Sequence, residues 1–512
     1  MEFPAFLDEV PDGLRGRVAL VDGVLHMSAE LRGNLEMVSF FGRLRRRGIL
    51  TYEFHPPKDF DAKYAHDAAR SFRGENAIQQ FAIELLSKAY EAGASDIHLT
   101  DFGPYTLIQF RCLGMLNDHT HLEGDFGRQV IACIYQTLGQ SGDACFSPSE
   151  RQDGRICKRE YLPAKVHSVR VHSEPLESAL SISGVGISMA LRLLYDSTSA
   201  TGNLETRMGL LGFSKSHYET VDFLTRRTGL TIISGPTGHG KSTLLKHVME
   251  AMVDRNPGKA FYSIEDPPEY PLKGVRQVIV YTKEQLERFS AYVDAIAGAM
   301  RADPDVLMIG EIRYGASAVA AIDAALTGHA VWATIHANNA FGIISRMISL
   351  LAKHFEKPLE HLCDHNVLSG LEYQRLVPVL CNECKIRMLD IPENEREYFI
   401  PLDVQQRLIR RAENIENVYV RGEGCERCNR RGLSSQTVAA EVVATDQAML
   451  GFLRAGNTEK AYEHWKIEYN GVDYVQHALQ LIQAGTVDPY LAEERLGVPL
   501  DFNHVLSGGH RK

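Results

Sequence analysis

The stretch that most constrains the fold of this chain is GPTGHGKS, residues 235–242. The apolar run 230–233 precedes it and the amphipathic run 244–249 follows, so it lies where a buried strand turns into a helix. Glycines at such a point let backbone amides surround a phosphate, and the helix N-terminus adds partial positive charge. Lys241 is placed to reach the outer phosphates, and Ser242 to offer a hydroxyl to Mg²⁺. The sequence therefore predicts a phosphate-binding loop rather than a glycine-rich turn with a solvated lysine.

This loop and the residue after it are expected to line a nucleotide site. The residues concerned are Gly235, Pro236, Thr237, Gly238, His239, Gly240, Lys241, Ser242 and Thr243. A nucleoside triphosphatase also needs carboxylates that hold Mg²⁺ and orient the attacking water. The strand-like run 261–264 is followed by Glu265 and Glu269, and the run 306–309 by a glycine and Glu311. Either acidic stretch alone is typical of a solvated loop, but downstream of a phosphate-binding loop both favour a catalytic site.

A third strand-like run, 330–335, has a histidine on each side, His329 and His336. At the end of such a strand, His336 is placed to hydrogen-bond a γ-phosphate. A histidine at a strand end is more often a polar residue that is satisfied within the protein. On the residues alone, this second interpretation is favoured for both histidines.

The composition narrows the class of protein. At 512 residues the chain is too long for one core and predicts about three or four domains. A formal net charge of −10 argues against a protein that coats nucleic acid. No run approaches about 18 apolar residues, and the first residues lack the pattern of a secretory signal. We therefore expect a cytosolic protein whose association with a membrane is at most peripheral.

The nine cysteines include two closely spaced pairs, Cys381 with Cys384 and Cys425 with Cys428. Each pair offers two corners of the tetrahedron that Zn²⁺ prefers. Redox pairs or unrelated buried cysteines are the alternative, but neither pair opens a helix in a thioredoxin-like βαβ unit. The pattern therefore predicts a structural zinc site that closes the loop 385–424.

Composition and periodicity divide the chain into six expected segments. Helical periodicity followed by strand-like alternation indicates an α+β domain, and later alternation of helices with strands indicates a doubly wound α/β core. A stretch rich in Ser, Thr and Gly separates them. The basic cluster 43–47 near the start is typical of a solvated helix face. The expected segments are a region of unclear role (1–74), the α+β domain (75–195), a linker (196–217), the α/β core (218–370), a tetracysteine subdomain (371–445) and a helical region (446–512).

Four motifs in order resemble those of a known superfamily. They are GPTGHGKS (235–242), IEDPPEY (264–270), RADPDVLMIGEIR (301–313) and TGHAVWATIHAN (327–338). They look like the Walker A, Asp box, Walker B and His box of secretion-superfamily ATPases, the GspE/PilB-like motors of type IV pilus assembly and type II secretion. Upstream, ASDIH (94–98) and QDGR (152–155) also match this family, so the resemblance covers about residues 75–512. In this chain His239 replaces the usual Ser, and Gly310 replaces the usual Walker B Asp.

The resemblance implies a fold and a set of site residues. The fold would be a RecA-like P-loop ATPase domain preceded by a PAS-like α+β domain, with a small tetracysteine zinc-binding insertion. Lys241 and Ser242 would contact phosphate and Mg²⁺, Glu311 would be the Walker B glutamate, and Glu265 and Glu269 would be the Asp-box acids. Six further residues are expected at the nucleotide by resemblance or position: the arginines Arg155, Arg170, Arg276 and Arg301 and the His-box residues His329 and His336.

The resemblance also implies a function. The tetracysteine insertion is typical of pilus assembly and type II secretion ATPases and is absent from retraction motors. We therefore expect a homo-hexameric, ATP-hydrolysing motor with Mg²⁺ and Zn²⁺ that drives type IV pilus assembly. It would act on an inner-membrane platform protein from the cytoplasmic face, peripheral to the inner membrane, and would not bind nucleic acid stably. The alternatives are a type II secretion ATPase, a DNA-translocating secretion or conjugation ATPase, and a nucleotide-gated scaffold without catalysis.

Overall fold

The computed structural model describes residues 75–141, 145–181, 184–195, 202–280 and 288–502, and short pieces between residues 14 and 60. The chain forms two units, Met1–Asp196 and Ser197–Lys512. Among the described residues, no helix is both long and apolar enough to cross a lipid bilayer. The basic cluster expected at 43–47 lies largely outside the described residues.

The first unit begins with a small three-stranded sheet. Its strands are β1 (Val18–Val21), β2 (Val24–Ser28) and β3 (Thr51–His55). β2 pairs antiparallel with β1 and parallel with β3. Leu25 and Met27 alternate along β2 and are buried in a local apolar core, against which Phe54 of β3 packs. The period-two alternation of a strand therefore gives this sheet one apolar face.

The rest of the first unit is an α+β domain built on a seven-stranded antiparallel sheet. Its helices and strands are α1 (Glu75–Glu91), β4 (Ala94–Asp101), β5 (Tyr105–Cys112), β6 (Met115–Glu123), α2 (Gly124–Cys133), β7 (Gln140–Ser141), β8 (Gln152–Ile156), β9 (Val166–Glu177) and β10 (Val185–Tyr195). α1 ends at Glu91, and Gly93, two residues later, has φ +66°. Apolar residues of α1, such as Leu86, share one core with strand residues such as Ile97.

The second unit contains the phosphate-binding loop. Its elements are α3 (Leu204–Leu211), α4 (Lys215–Leu224), β11 (Gly229–Ser234), α5 (Lys241–Arg255), β12 (Phe261–Glu265), β13 (Arg276–Ile279), α6 (Arg288–Met300), β14 (Val306–Ile309), α7 (Gly315–Leu326), β15 (Ala330–Ile335), α8 (Gly342–Leu351), α9 (Pro358–Leu362), β16 (Leu368–Leu380), β17 (Ile386–Arg387), α10 (Leu402–Arg411), β18 (Tyr419–Val420), β19 (Leu433–Ala444), α11 (Gln447–Arg454), α12 (Thr458–Glu468), α13 (Tyr474–Gln483) and α14 (Pro489–Leu496).

A seven-stranded sheet in the order β13-β12-β14-β15-β11-β16-β19 organises this unit. All neighbours pair in parallel except β19, which is antiparallel to β16. On β11, Leu230 and Ile232 belong to one apolar cluster and Ile233 to another. Both faces of the central strand are therefore covered, which explains why its sequence is a continuous apolar run. The structure confirms the expected α/β class with a mainly parallel sheet.

Two expected boundaries are corrected by the structure. The segment 196–217, expected to be a linker, contains α3 and the start of α4. The polar residues that indicated a linker cap these helices: the Asn203 side chain accepts from the Thr206 amide, and that of Ser214 from the His217 amide. Residues 196–201 lie outside the described part of the chain.

The subdomain expected at 371–445 is not bounded there. β16 and β19 pair with each other across the ends of this segment, and β16 also pairs with the central strand β11. Both strands therefore belong to the main sheet, and the insertion itself is limited to residues 381–432. The boundary predicted at residue 371 falls inside β16. Apolar residues on both sides of this position are buried in the same core, so the strand continues through it.

Candidate nucleotide site and metal centre

The phosphate-binding loop connects the carboxyl end of β11 to the first turn of α5. Gly235, Gly238 and Gly240 have φ values of +149°, +78° and +81°, a backbone region that favours glycine. A Cβ atom on Gly235 would lie 2.4 Å from the carbonyl oxygen of Gln374. The glycines therefore allow the loop to curl tightly against β16, with the N-terminus of α5 opening beside it.

Lys241 is folded over this loop. Its Nζ donates to the carbonyl oxygens of Gly235 and Pro236 at 2.8 and 2.9 Å. Burial lowers the pKa of Lys241, and the nearby carboxylates of Glu311 and Glu372 oppose that change. An ammonium held by two loop carbonyls is placed to exchange them for phosphate oxygens, which are stronger, charged acceptors. Ser242 and Thr243 follow in the first turn of α5.

Glu311 follows β14, and its carboxylate lies between the side chains of Arg313 and His336. Its Oε2 is 2.8 Å from Nη2 of Arg313, and its Oε1 is 3.3 Å from Nε2 of His336. The backbone amide of Glu311 donates to the Tyr292 hydroxyl at 3.2 Å. Burial, and then the charge of Lys241, lower the pKa of His336, which favours the neutral imidazole. The structure thus brings together Lys241, Glu311 and His336, as expected from parallel strands whose carboxyl ends share one edge.

The two Asp-box acids have different environments. Glu265 is buried at the end of β12, and its Oε1 accepts from Ser263 Oγ at 2.7 Å and Gln277 Nε2 at 3.0 Å. Burial raises the pKa of Glu265. Glu269 is less buried and raises the pKa of Lys241 electrostatically. Glu265 is therefore engaged in holding its own strand, whereas Glu269 acts on the loop lysine.

The four paired cysteines form one cluster. Sγ–Sγ distances are 3.8 Å for Cys381–Cys425, Cys384–Cys428 and Cys425–Cys428, and all four sulfurs lie within 4.8 Å of one another. Four thiolates at about 2.3 Å from a tetrahedral Zn²⁺ are about 3.8 Å apart. The amides of Cys425 and Gly432 each donate to Cys428 Sγ at 3.2 Å, which favours a thiolate. The residues therefore fit a Zn²⁺ ion.

Comparisons with known proteins agree with this geometry. The family described as "Type II/IV secretion system protein" matches residues 72–495. The chain belongs to this family. It is thus a secretion ATPase, an enzyme that hydrolyses ATP.

Individual relatives of this secretion ATPase carry two kinds of name. A type II secretion system protein E from Aeromonas hydrophila is 30% identical over 427 residues, which cover 82% of this chain and 75% of the relative. The type IV pilus assembly ATPase PilB from Thermus thermophilus is 29% identical over 404 residues, which cover 78% of this chain and 41% of PilB. The solved structure of the ATPase DotB from Legionella pneumophila matches with a TM-score of 0.55 and 18% identity, over 82% of this chain and 96% of DotB. This last likeness shows the fold alone.

The structure gives His239 a role that the sequence did not indicate. Its Nδ1 accepts from the Leu376 amide at 2.8 Å, and its carbonyl oxygen accepts from Gln374 Nε2 at 2.5 Å. Burial lowers the pKa of His239 to about 4, so the ring is neutral and able to accept near pH 7. The unusual loop residue of this secretion ATPase therefore fastens the loop to β16. Gln374, the first residue of the sequence QRL at 374–376, was not among the predicted site residues.

His329 does not lie at the nucleotide loop of its own chain, and its expected contact with a nucleotide stays a prediction. Its carbonyl accepts from the amide of Gly229, the first residue of β11. The ring Nδ1 lies 3.0 Å from Thr327 Oγ1 and from the Ala324 carbonyl. Because β11 and β15 run in parallel over six residues, or about 20 Å, His329 lies at the opposite edge of the sheet from His336.

Arg276 and Arg301 also lie away from the loop in their own chain. Arg276 begins β13 opposite Tyr262, and its guanidinium lies 5.1 Å from that ring. Arg301 is exposed in the turn between α6 and β14. Arg276 is the first residue of its strand and Arg301 precedes β14, so neither lies at the carboxyl end of a strand. The arginine that lies beside Glu311 is Arg313. It is the last residue of the motif RADPDVLMIGEIR and was not among the predicted site residues.

Arg155 and Arg170 belong to the first unit of the secretion ATPase. They face each other on the paired strands β8 and β9. The guanidinium of Arg155 donates to Ser168 Oγ through Nε at 3.1 Å and Nη2 at 2.9 Å. Their expected contact with a nucleotide stays a prediction.

Two buried acids in the second unit predict that it loses stability as the pH rises. Burial raises the pKa of Glu441 to about 8, and burial and repulsion from Glu441 raise that of Glu372 well above its usual 4.5. Below about pH 4.5 both groups are protonated in the folded and the unfolded chain, so their stabilising contribution is complete. Above about pH 4.5 the unfolded chain ionises first, so each group then costs up to about 1.4 kcal/mol per pH unit, and for Glu441 this range ends at about pH 8.

The variant Glu372→Gln tests this pH dependence. The amide keeps the shape of the carboxyl group and one acceptor oxygen for the hydrogen bond from the Ser234 backbone, and it removes the charge. We expect its thermal midpoint to match the parent at pH 5 and to exceed it by a few °C at pH 8, because about 1 kcal/mol shifts a domain of 150–250 residues by about 2–4 °C. The exposed Glu360→Gln is the control. A midpoint at pH 8 no higher than that of the parent would contradict the assignment.

Proposed function

We propose that this secretion ATPase is a homo-hexameric motor that powers type IV pilus assembly at the cytoplasmic face of the inner membrane. The observation that carries the proposal is the convergence of Lys241, Glu311 and His336 at the carboxyl ends of β11, β14 and β15. A motor needs a site of this kind, in which a triphosphate is held and cleaved by groups on a rigid sheet. The tetracysteine cluster favours an assembly motor over a retraction motor.

The residues suggest how ATP is cleaved. Loop amides and the N-terminus of α5 would hold the phosphates together with Lys241. Ser242 and the acids near the loop would hold Mg²⁺, which neutralises phosphate charge when it is bound. Glu311, oriented by Arg313 and His336, would align a water molecule with the γ-phosphorus and accept its proton. The new oxygen–phosphorus bond forms as the bond from the γ-phosphorus to its bridging oxygen breaks, giving ADP and phosphate.

Coupling of hydrolysis to movement would use residues that lie away from the loop of their own chain. Arg276 and Arg301 are exposed at the opposite edge of the sheet, where a neighbouring subunit of a ring can be reached. Arg155 and Arg170 of the first unit are the other arginines that we assign to a nucleotide between subunits, and His329 is assigned with them. Such an arginine would contact the γ-phosphate only before cleavage. The subunits of the ring would therefore have one arrangement with ATP bound and another after hydrolysis. The movement would be passed to a platform protein in the inner membrane.

Type II secretion is the second candidate, and the name of the Aeromonas hydrophila relative favours it. The name of the Thermus thermophilus relative supports pilus assembly. To separate the two, the Lys241→Ala allele replaces the parent gene in the native host, and surface pili and secreted proteins are both quantified. Loss of pili with normal secretion supports our proposal. Loss of secretion with normal piliation would overturn it in favour of the second candidate.

The Glu311→Gln variant tests which acid activates water. Loss of a general base typically costs about 10²–10⁴-fold in turnover, so we expect a fall of that size with nucleotide affinity retained. Glu265→Gln is expected to lower the stability of the fold more than the rate of turnover, because the Glu265 carboxylate accepts hydrogen bonds from Ser263 and Gln277. The rate of phosphate release and the affinity for Mg-ATP are measured for both variants, with Glu269→Gln in parallel. If Glu269→Gln loses turnover and Glu311→Gln does not, Glu269 is the base.

A further inference from the structure

The small N-terminal sheet presents three potential metal ligands on one face. His26 lies on β2, and Glu53 and His55 lie on β3. In the parallel register, His26 is opposite Glu53, and Ser28 is opposite His55. Because side chains alternate along a strand, these ligands share the face opposite to Leu25, Met27 and Phe54, which pack in or against the local core. The fold thus gathers two imidazoles and a carboxylate from strands that residues 29–50 separate in sequence.

The ligand atoms lie at distances that suit one metal ion. His26 Nδ1 is 3.0 Å from His55 Nε2 and 3.5 Å from Glu53 Oε2. His55 Nε2 is 3.6 Å from the same Glu53 oxygen. Ligands at about 2.0–2.1 Å from a tetrahedral metal are about 3.3–3.4 Å apart. The three atoms therefore form a triangle of nearly the size that one ion would require, from three side chains on two paired strands.

We propose that His26, Glu53 and His55 bind a divalent transition-metal ion, with Zn²⁺ as the best match, at a second site separate from the cysteine cluster. Two imidazoles with one carboxylate suit Zn²⁺ and its neighbours, whereas Ca²⁺ and Mg²⁺ prefer oxygen ligands alone. The His26 and His55 side chains are 10% and 20% exposed and that of Glu53 is 60% exposed. The ion enters from the Glu53 side, and a fourth position stays available to water or another ligand.

The site has a structural consequence for the N-terminal region. β2 and β3 are joined in parallel over only five residues, and a short ladder of this kind is weak without further packing. A metal ion held by both strands ties them together and stabilises the folded state by an amount that rises with the logarithm of the free metal concentration, once this exceeds the dissociation constant. Metal availability therefore controls how firmly this sheet is held. The alternative occupant of the triangle is a proton, shared as a hydrogen bond between the two imidazoles.

The test uses the full-length protein with one Zn²⁺ at the cysteine cluster, titrated with Co²⁺. We expect one further equivalent, with visible absorption typical of nitrogen and oxygen ligands and without a thiolate charge-transfer band. Glu53→Gln should bind this equivalent at least about tenfold more weakly, since even loss of an outer-shell partner costs that much. His26→Ala/His55→Ala should not bind it. The control His119→Ala/His121→Ala removes two histidines from β6 of the same unit and should bind like the parent.

Folding of each variant is verified by its retained cysteine-bound zinc and by its circular dichroism. Glu53→Gln is the decisive variant, because its side chain is largely exposed and its replacement leaves the apolar face of the sheet unchanged. The proposal is overturned if the parent takes up no second equivalent. It is also overturned if Glu53→Gln and the double variant bind Co²⁺ as the parent does, or if the second equivalent shows thiolate charge transfer.

Discussion

The variant Lys241→Ala is expected to lose ATP turnover by at least about 10²-fold while the protein keeps its fold. The reason is electrostatic, because removal of one preorganised donor at a developing negative charge typically costs about 10²–10³-fold in turnover. Lys241 is such a donor, since its buried ammonium is held by Gly235 and Pro236 at the mouth of β11. Phosphate release at saturating Mg-ATP measures the effect, and nucleotide affinity measured separately shows how much of it arises in binding.

The fold should survive this substitution because the lysine bonds only to loop carbonyls, which water can reach once the side chain is gone. The control is Lys215→Ala, which removes a lysine from the same unit whose side chain is 80% exposed. It should leave turnover within about twofold of the parent, as surface charges are usually worth little. If Lys241→Ala turned over ATP as fast as the parent and had a normal thermal midpoint, the loop would not be part of the catalytic site.

The central strand and its loop could be predicted because several signals agreed. A continuous apolar run indicates a strand covered on both faces, and β11 is one, with Leu230 and Ile233 in different clusters. Glycines and a following amphipathic run then require a turn and a helix, which are found at 235–240 and in α5. The position of Glu311 beside the loop followed from the same reasoning, since residues after neighbouring parallel strands meet at one edge, whereas its contact with His336 was not predicted.

The same geometry places His329 and His336 at opposite ends of one strand. They belong to one motif, but a six-residue strand of about 20 Å lies between them. Proximity in sequence therefore does not give proximity in space, and the predicted contact of His329 with a nucleotide needs a neighbouring subunit. The same holds for Arg276 and Arg301, because neither follows the carboxyl end of a strand.

The extent of the main sheet could not be derived from local pattern. β16 and β19 are paired along most of their length, yet the whole insertion separates them in sequence. Such pairing depends on which edge of the sheet is left uncovered, a property of the assembled core rather than of either strand. The capped helices in the expected linker show a related difficulty, because Asn203 and Ser214 favour both loops and helix starts.

The substitution Cys428→Ser is expected to remove zinc from the cysteine cluster and to unfold the insertion 381–432 locally. Cys428 accepts the amides of Cys425 and Gly432 and lies 3.8 Å from the sulfurs of Cys384 and Cys425. Its loss removes one of the four ligands through which the metal joins the two cysteine pairs. Structural zinc sites contribute on the order of 10–16 kcal/mol of apparent binding free energy in small peptides. Zinc per chain, measured by mass spectrometry, should be lower by about one than in the parent, and proteases should cleave within the insertion.

The control for this prediction is Cys157→Ser, which removes an exposed cysteine of the first unit. It should keep the zinc content of the parent and resist proteolysis as the parent does, and equal zinc contents in the two variants would contradict the site. The effect should also reach the nucleotide loop, because β16 begins next to β11, donates through Gln374 to His239, and ends one residue before Cys381. A strand released at one end holds its other contacts less firmly. Turnover of Cys428→Ser should therefore fall, but by less than that of Lys241→Ala, since every group that touches the phosphates is still present.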